Sequence, residues 1–404
     1  MNFAMEMHEA EIRQGYSFSD LTVCFDHMQD ESLRSELRGW ESSPTCNFCE
    51  GQGTDSDPIA VEMDALMEVV MSAVFFKYNY ANEEGVLRDE GDWFGAPIYE
   101  SQDVLEDVCS GAVDDEVLVA MISLVPFEDW TRRDFALLPP DRALRVGWDS
   151  FAEYVKHTAR FVFLATTPRE SLSPDEYTPH EILTRISQVI KDLDLIDTLT
   201  DRRRLWRGRM QGTGEVPSYK AAGIGPPPAR LAAANRMSPA GIPMFYGSES
   251  IDTVIAEIAA HDTRRFAVVA AFESTEPLRV VDLTRIPDEP SIFDKNRRWR
   301  RYPLRFLRSF AEEISKPVSL DGQEHIDYVP TQVLTEYFRW LSPLDVDGIK
   351  FRSAQDDGVN WVVFIGPEGC ADPGAETEAT RLRLVPDSKR VVRVVARPFG
   401  DATA

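Results

Sequence analysis

The sequence predicts an α+β protein with a helical front half and a mixed α/β back half. Up to about residue 200 the apolar residues recur at helical spacing, as in Val61, Leu66, Val69, Val70 and Val74. Beyond that point β-branched runs appear at 266–272, 278–282, 346–351, 360–365 and 391–395. Helical stretches at 250–261, 301–314 and 331–341 separate them. Charge changes at the same place. Residues 1–200 carry 40 acids and 14 bases, whereas residues 201–404 carry 28 and 29, a contrast expected of separate domains.

The net charge of −25 disfavours a nucleic-acid reader, which needs a basic face for phosphates. The acidic half serves solubility or meets a basic partner. No run approaches the ~18 apolar residues of a membrane span. Residues 1–9 lack the basic start and apolar core of a secretory signal, so a cytoplasmic location is expected. Five cysteines are too few, and odd in number, for a disulfide framework.

Residues 1–20 show no core signal. A knuckle follows: Cys24-Phe25-Asp26-His27, then Cys46-Asn47-Phe48-Cys49, with 18 residues between the pairs. CxxH and CxxC each wrap one metal, so Cys24, His27, Cys46 and Cys49 supply four ligands for a structural zinc with no position left for water. Three buried thiols and a surface histidine are the alternative. A short helix is expected at 30–37 between the pairs. Residues 51–58, rich in Gly, Asp and Ser, read as a linker. Helices are expected at 59–76, 104–109, 116–122, 148–161 and 181–200, and loops at 78–97 and 168–179. The expected division is 1–57 as the knuckle segment, 58–200 as the helical domain and 201–404 as the mixed domain.

The back half holds the chemistry. Arg207 and Arg209 alternate with Trp206 and Met210 at the edge of a predicted strand, and an arginine fork matches a pyrophosphate; a surface salt bridge is the plainer fate. Arg236 follows a Pro-rich loop. Tyr246 closes a predicted strand at 242–245 and could stack on a base or fill the core. Glu257 lies among apolar helix neighbours, where a carboxylate is either paired or functional. At an N-glycosidic bond it would stabilise an oxocarbenium-like cation. Ser353 ends a strand and suits a ribose hydroxyl, a phosphate or an ordinary turn. No Gly-x-Ser-x-Gly elbow, Gly-x-Gly-x-x-Gly or Walker loop occurs.

These motifs carry a resemblance. Trp206-Arg207-Gly208-Arg209, then Arg236-Met237-Ser238-Pro239-Ala240-Gly241-Ile242-Pro243-Met244-Phe245-Tyr246-Gly247, Glu257, Val329-Pro330-Thr331-Gln332 and Asp347-Gly348-Ile349-Lys350-Phe351-Arg352-Ser353 resemble the RES domain across residues 205–365. The knuckle and the stretch 148–161 resemble a HEPN-associated N-terminal domain found ahead of RES, although the first pair is CxxH where CxxC is expected. The resemblance implies an ADP-ribosyltransferase-like fold and a toxin that destroys NAD⁺ and is neutralised by an antitoxin or regulatory protein. It implies Arg207 and Arg236 at the NAD⁺ phosphates, with Arg209 able to replace Arg207. It places Tyr246 at the ring, Glu257 at the developing cation and Ser353 at the ribose. Gln332 receives no role.

The acceptor is left open. Water or phosphate would make a glycohydrolase or phosphorylase. A protein or nucleic-acid acceptor would make a transferase, with the basic run Arg297-Arg298-Trp299-Arg300-Arg301 in a candidate acceptor loop at 286–316. An inactive binding module is the third reading. No Arg-x4–6-His of an RNA-cleaving HEPN domain is present, so a sensing, inhibitory or dimerising role is expected for the front half. Homo-oligomerisation is compatible with the sequence and undetermined by it.

Overall fold

The computed structural model describes residues 11, 14–162, 172–199, 203–260, 262–316 and 322–394. The expected loop at 168–179 lies partly outside them. Two compact units divide the chain: Met1–Pro139 with Asp288–Tyr302, and Pro140–Pro287 with Pro303–Ala404. These limits differ from the expected 57 and 200.

The first unit opens with β1 (Thr22–Cys24), α1 (Glu31–Leu37), β2 (Ala60–Glu62) and α2 (Met63–Lys77). β1 pairs antiparallel with β2, setting Cys24 opposite Ala60. The knuckle and the following helix therefore share one core, with Val23, Leu33, Val61 and Leu66 fully buried. Residues 51–58 are a tight turn rather than a linker. Gly53 N–H donates to the Pro44 carbonyl, and a Cβ on Gly53 would lie 2.5 Å from the Asp57 oxygen. Asp30 caps α1 by accepting from the amides of Ser32 and Leu33.

The stretch 78–97 holds strands β3 (Tyr78–Tyr80), β4 (Leu87–Asp89) and β5 (Asp92–Phe94) where a loop is expected. β4 and β5 form a hairpin. β6 (Tyr99–Glu100), α3 (Ser101–Cys109), α4 (Asp115–Leu124) and β7 (Asp129–Arg132) follow. The sheet order is β3-β7-β6. Residues 288–302 belong to this core through Phe293, which is 2 % exposed. Arg298 there donates to the Ser72 carbonyl at 2.9 Å and lies over the Phe76 ring.

The second unit starts with α5 (Pro140–His157) and α6 (Pro179–Asp192). These were expected in the front domain. Their apolar faces instead join the second unit's core: Trp148 meets Phe310 edge-on at 4.9 Å, and Ile182 and Ile186 are fully buried. β8 (Ile196–Leu199) and β9 (Arg204–Gln211) lead to α7 (Ala221–Ile224), β10 (Phe245–Ser248) and α8 (Ile251–Ala259). Next come β11 (Phe266–Ser274), β12 (Leu278–Asp282), α9 (Arg301–Ser315), α10 (Glu324–Asp327) and α11 (Val329–Trp340). β13 (Gly348–Arg352), β14 (Val359–Val363), β15 (Cys370–Ala371), β16 (Leu382–Leu384) and β17 (Arg390–Arg393) complete it.

One sheet runs β15-β16-β11-β9-β10-β14-β13-β12-β8, with β17 also on β11. Among the described residues of this sheet, only β12–β13 and β15–β16 pair in parallel. β9 is an interior strand between β10 and β11, not an edge. Inside the sheet the Lys350 ammonium meets the Asp282 carboxylate at 2.9 Å, and each residue is 3 % exposed.

Candidate functional site

A cavity of about 870 Å³ opens on the second unit, and its wall includes Arg207, Arg209, Arg236, Tyr246, Glu257 and Asn360. Five of these six are candidate residues of the sequence; Asn360 is not.

Glu257 projects from α8, which packs on β9 at a point where a side chain is impossible. A Cβ on Gly208 would lie 2.8 Å from both Val254 and Ile258. Glu257 Oε1 accepts from Ser353 Oγ and from Asn360 Nδ2, each at 2.6 Å. Ser353 sits just past β13 and Asn360 lies in β14 opposite Phe351, so the two arms of one hairpin converge on one oxygen. The hairpin loop is tied back to α8, because Thr253 Oγ1 donates to Asp356 Oδ2 at 2.9 Å. Ser353, expected at the ribose, donates its hydroxyl to Glu257, and the next two residues, Ala354 and Gln355, line the cavity.

The arginines hold main chain as well as face the cavity. Arg207 donates from Nε to the Ile224 carbonyl at 2.9 Å and from Nη1 to the Tyr246 carbonyl at 2.7 Å. It also lies over the Phe245 ring. Burial, then the neighbouring Arg209 charge, lowers its pKa to about 10, so it stays cationic at neutral pH. Arg209 makes one such bond, to the Gly225 carbonyl at 2.7 Å. Arg236 donates to the carbonyls of Ile314 (2.6 Å) and Lys316 at the end of α9. That end otherwise leaves orphan acceptors.

Tyr246 is the second residue of β10 rather than the residue after a strand. Its hydroxyl takes the Met237 amide at 3.2 Å and pairs with Ser238 Oγ at 3.0 Å, leaving the ring on the cavity wall. Burial pushes its pKa up to about 12. Gln332, without a role in the sequence reading, donates from Nε2 to the carbonyls of Asn235 (2.8 Å) and Ser238 (3.3 Å). It thereby pins the turn that carries Arg236 and bonds the Tyr246 hydroxyl.

In the basic run, Arg297 pairs with Asp294, Arg298 with Ser72, and Arg301 with the Pro290 carbonyl, all within the first unit.

In the first unit the ligand atoms of Cys24, His27, Cys46 and Cys49 all lie within 4.8 Å of one another. Cys24 and Cys49 Sγ are 3.7 Å apart. A tetrahedron with metal–sulfur bonds of about 2.3 Å has edges of about 3.8 Å. Backbone amides of Cys24 and Phe48 donate to Cys46 Sγ, and that of Gly51 to Cys49 Sγ. The last, followed by His27, lowers the Cys49 pKa to about 7. Asp114 Oδ2 takes His27 Nδ1 at 2.7 Å, while among the described residues the buried His27 Nε2 has no hydrogen-bond partner. The donor set fits a metal: a carboxylate orients the imidazole so that Nε2 is left to ligate. All five cysteines are free of disulfides.

The mixed sheet, the helix-borne carboxylate and the arginine-lined cavity define a small-ligand site on an α+β domain. The RES domain family matches residues 204–384 and HEPN/RES N-terminal domain 1 matches residues 40–169, so the chain is a RES-domain protein with that N-terminal domain ahead of it. No curated protein matches the chain. A solved structure, the M. tuberculosis MbcT-MbcA toxin-antitoxin complex, is 17% identical, covering 52% of this chain and 91% of that one, with a TM-score of 0.28. No helix among the described residues is long and apolar enough to cross a membrane.

Proposed function

We propose that the protein is a RES-type toxin that cleaves the nicotinamide–ribose bond of NAD⁺ and so depletes the nucleotide. The observation that supports this reading most is the Glu257 carboxylate, held on a cavity wall that also carries Arg207, Arg209 and Arg236. Such a wall pairs cations for a pyrophosphate with an anion for a developing ribosyl cation. Arg209, which makes the fewest main-chain bonds of the three, takes the phosphates together with the remaining donors of Arg207 and Arg236. The Tyr246 ring meets the nicotinamide. The C1′–N bond breaks, its electron pair neutralises the pyridinium nitrogen, and nicotinamide departs. Water bonds to C1′ and gives up a proton; inorganic phosphate would serve equally as acceptor. Purified wild type should release nicotinamide from NAD⁺, and Glu257→Ala should lose at least about a hundredfold of that rate. Equal release from both would overturn the reading. Mass increments on a macromolecule, without free ADP-ribose, would favour transfer instead.

The same reading gives the chain a neutralising protein partner and a cytoplasmic place of action, where NAD⁺ is found. We assign zinc to Cys24, His27, Cys46 and Cys49, in a structural role because all four positions are filled by protein.

A further inference from the structure

One polar side chain on the cavity wall has no place in the reading of the sequence. Asn360 sits near the start of β14, followed by Trp361, Val362 and Val363, which are fully buried. Its amide faces the cavity and donates from Nδ2 to Glu257 Oε1 at 2.6 Å. A carboxylate only accepts, so the amide nitrogen must be the atom that faces it. Ser353 Oγ donates to the same oxygen at the same distance.

The convergence has a mechanical consequence. The last torsion of a glutamate side chain is broad, so one hydrogen bond leaves the carboxylate plane free to swing. Two donors anchored at separate points of the backbone remove that freedom. Both act on Oε1, and Oε2 makes no hydrogen bond among the described residues. It is therefore the oxygen left for the ligand. We propose that Asn360 is a positioning residue that, with Ser353, locks the Glu257 carboxylate so that Oε2 faces the ribose; this rests on the reading of Glu257 given above. Because Asn360 acts through Glu257, its loss should lower turnover much more than it weakens NAD⁺ binding. A misplacement of about 1 Å in a reacting group costs on the order of a hundredfold in rate.

The test is steady-state nicotinamide release from NAD⁺ by the full chain, comparing wild type, Asn360→Ala, Asn360→Asp, Ser353→Ala and the double variant Ser353→Ala/Asn360→Ala. We expect Asn360→Ala to lose roughly 30- to 100-fold in kcat with KM within about threefold. Thermal midpoints should stay close to wild type. Asn360→Asp keeps the shape but replaces the donor with a second carboxylate, and it should be at least as slow. The double variant should depart from the product of the single losses, because both donors restrain one atom. An Asn360→Asp enzyme with wild-type kcat would overturn the proposal, as would losses that track the unfolded fraction or singles that multiply independently. A wild type that releases no nicotinamide would overturn the NAD⁺ reading and this proposal together. An active wild type with unaffected Asn360 variants would overturn this proposal alone.

Discussion

Arg207 Nη1 donates to the main-chain carbonyl of Tyr246 at 2.7 Å, joining an arginine of β9 to the backbone of the neighbouring strand β10. Position 207 is therefore a structural clamp as well as a cation on the cavity wall. Arg207→Ala should cost roughly 2–4 kcal/mol, since two hydrogen bonds from a charged group are lost. Arg209→Ala should cost about half as much, having one such bond to lose. Urea unfolding gives both costs. Titration calorimetry with NAD⁺ should show weakened binding for Arg209→Ala in a protein that remains folded.

The Asp282–Lys350 pair is buried on both sides. Burial pushes the Asp282 carboxyl up, but hydrogen bonds from Thr284 and Lys350 outweigh it and hold it below its ordinary value. A depressed folded value stabilises the protein above the unfolded carboxylate value of about 3.9 and stops doing so as pH falls through the folded one. Asp282→Asn should therefore cost about 3–5 kcal/mol at pH 7 by leaving the buried lysine only the more distant Glu249 carboxylate, at 3.9 Å. Its stability should then fall less steeply than wild type below about pH 4. Chemical denaturation at pH 7 and at pH 3 checks both signs.

Gly358 is the close-approach position of the hairpin. A Cβ there would lie 2.0 Å from Thr253 Oγ1 and 2.9 Å from Asp356 Oδ1. Gly358→Ala should break the Thr253–Asp356 tie and cost about 1–3 kcal/mol. It should also slow nicotinamide release, although residue 358 is not on the cavity wall. A melting curve and a rate measurement on one preparation would show whether both effects appear.

The Cys/His group should hold one zinc per chain by elemental analysis. Asp114→Ala removes the partner of His27 Nδ1 and should weaken zinc binding about 10- to 100-fold in a chelator competition. His27→Ala should weaken it further. Stripping the metal should lower the melting temperature of the first unit, whose core includes β1 next to the knuckle.

Much of this architecture is legible in the sequence alone. The strands at 266–274, 278–282, 348–352 and 359–363 lie where β-branched runs predict them, because side-chain period reports strand geometry directly. Cys24, His27, Cys46 and Cys49 come together as their spacing implies. Glu257 was legible as a carboxylate among apolar helix neighbours. Asn360 was not, since a single asparagine in a strand carries no periodic signal and its meaning depends on a partner 103 positions away.

What the sequence determined by itself was local: residue types, periodicities and the ligand spacing of the knuckle. Tertiary structure decided the non-local matters. It placed α5 and α6 with the second unit, because an amphipathic face such as Trp148–Phe151 specifies burial without naming what buries it. It drew residues 288–302 into the first unit through Phe293. It set Arg236 on the carbonyls ending α9 and brought Ser353 to Glu257 as a hydrogen-bond donor. Hydrogen bonds between distant segments are directional and short, so only the folded chain establishes which donor reaches which acceptor.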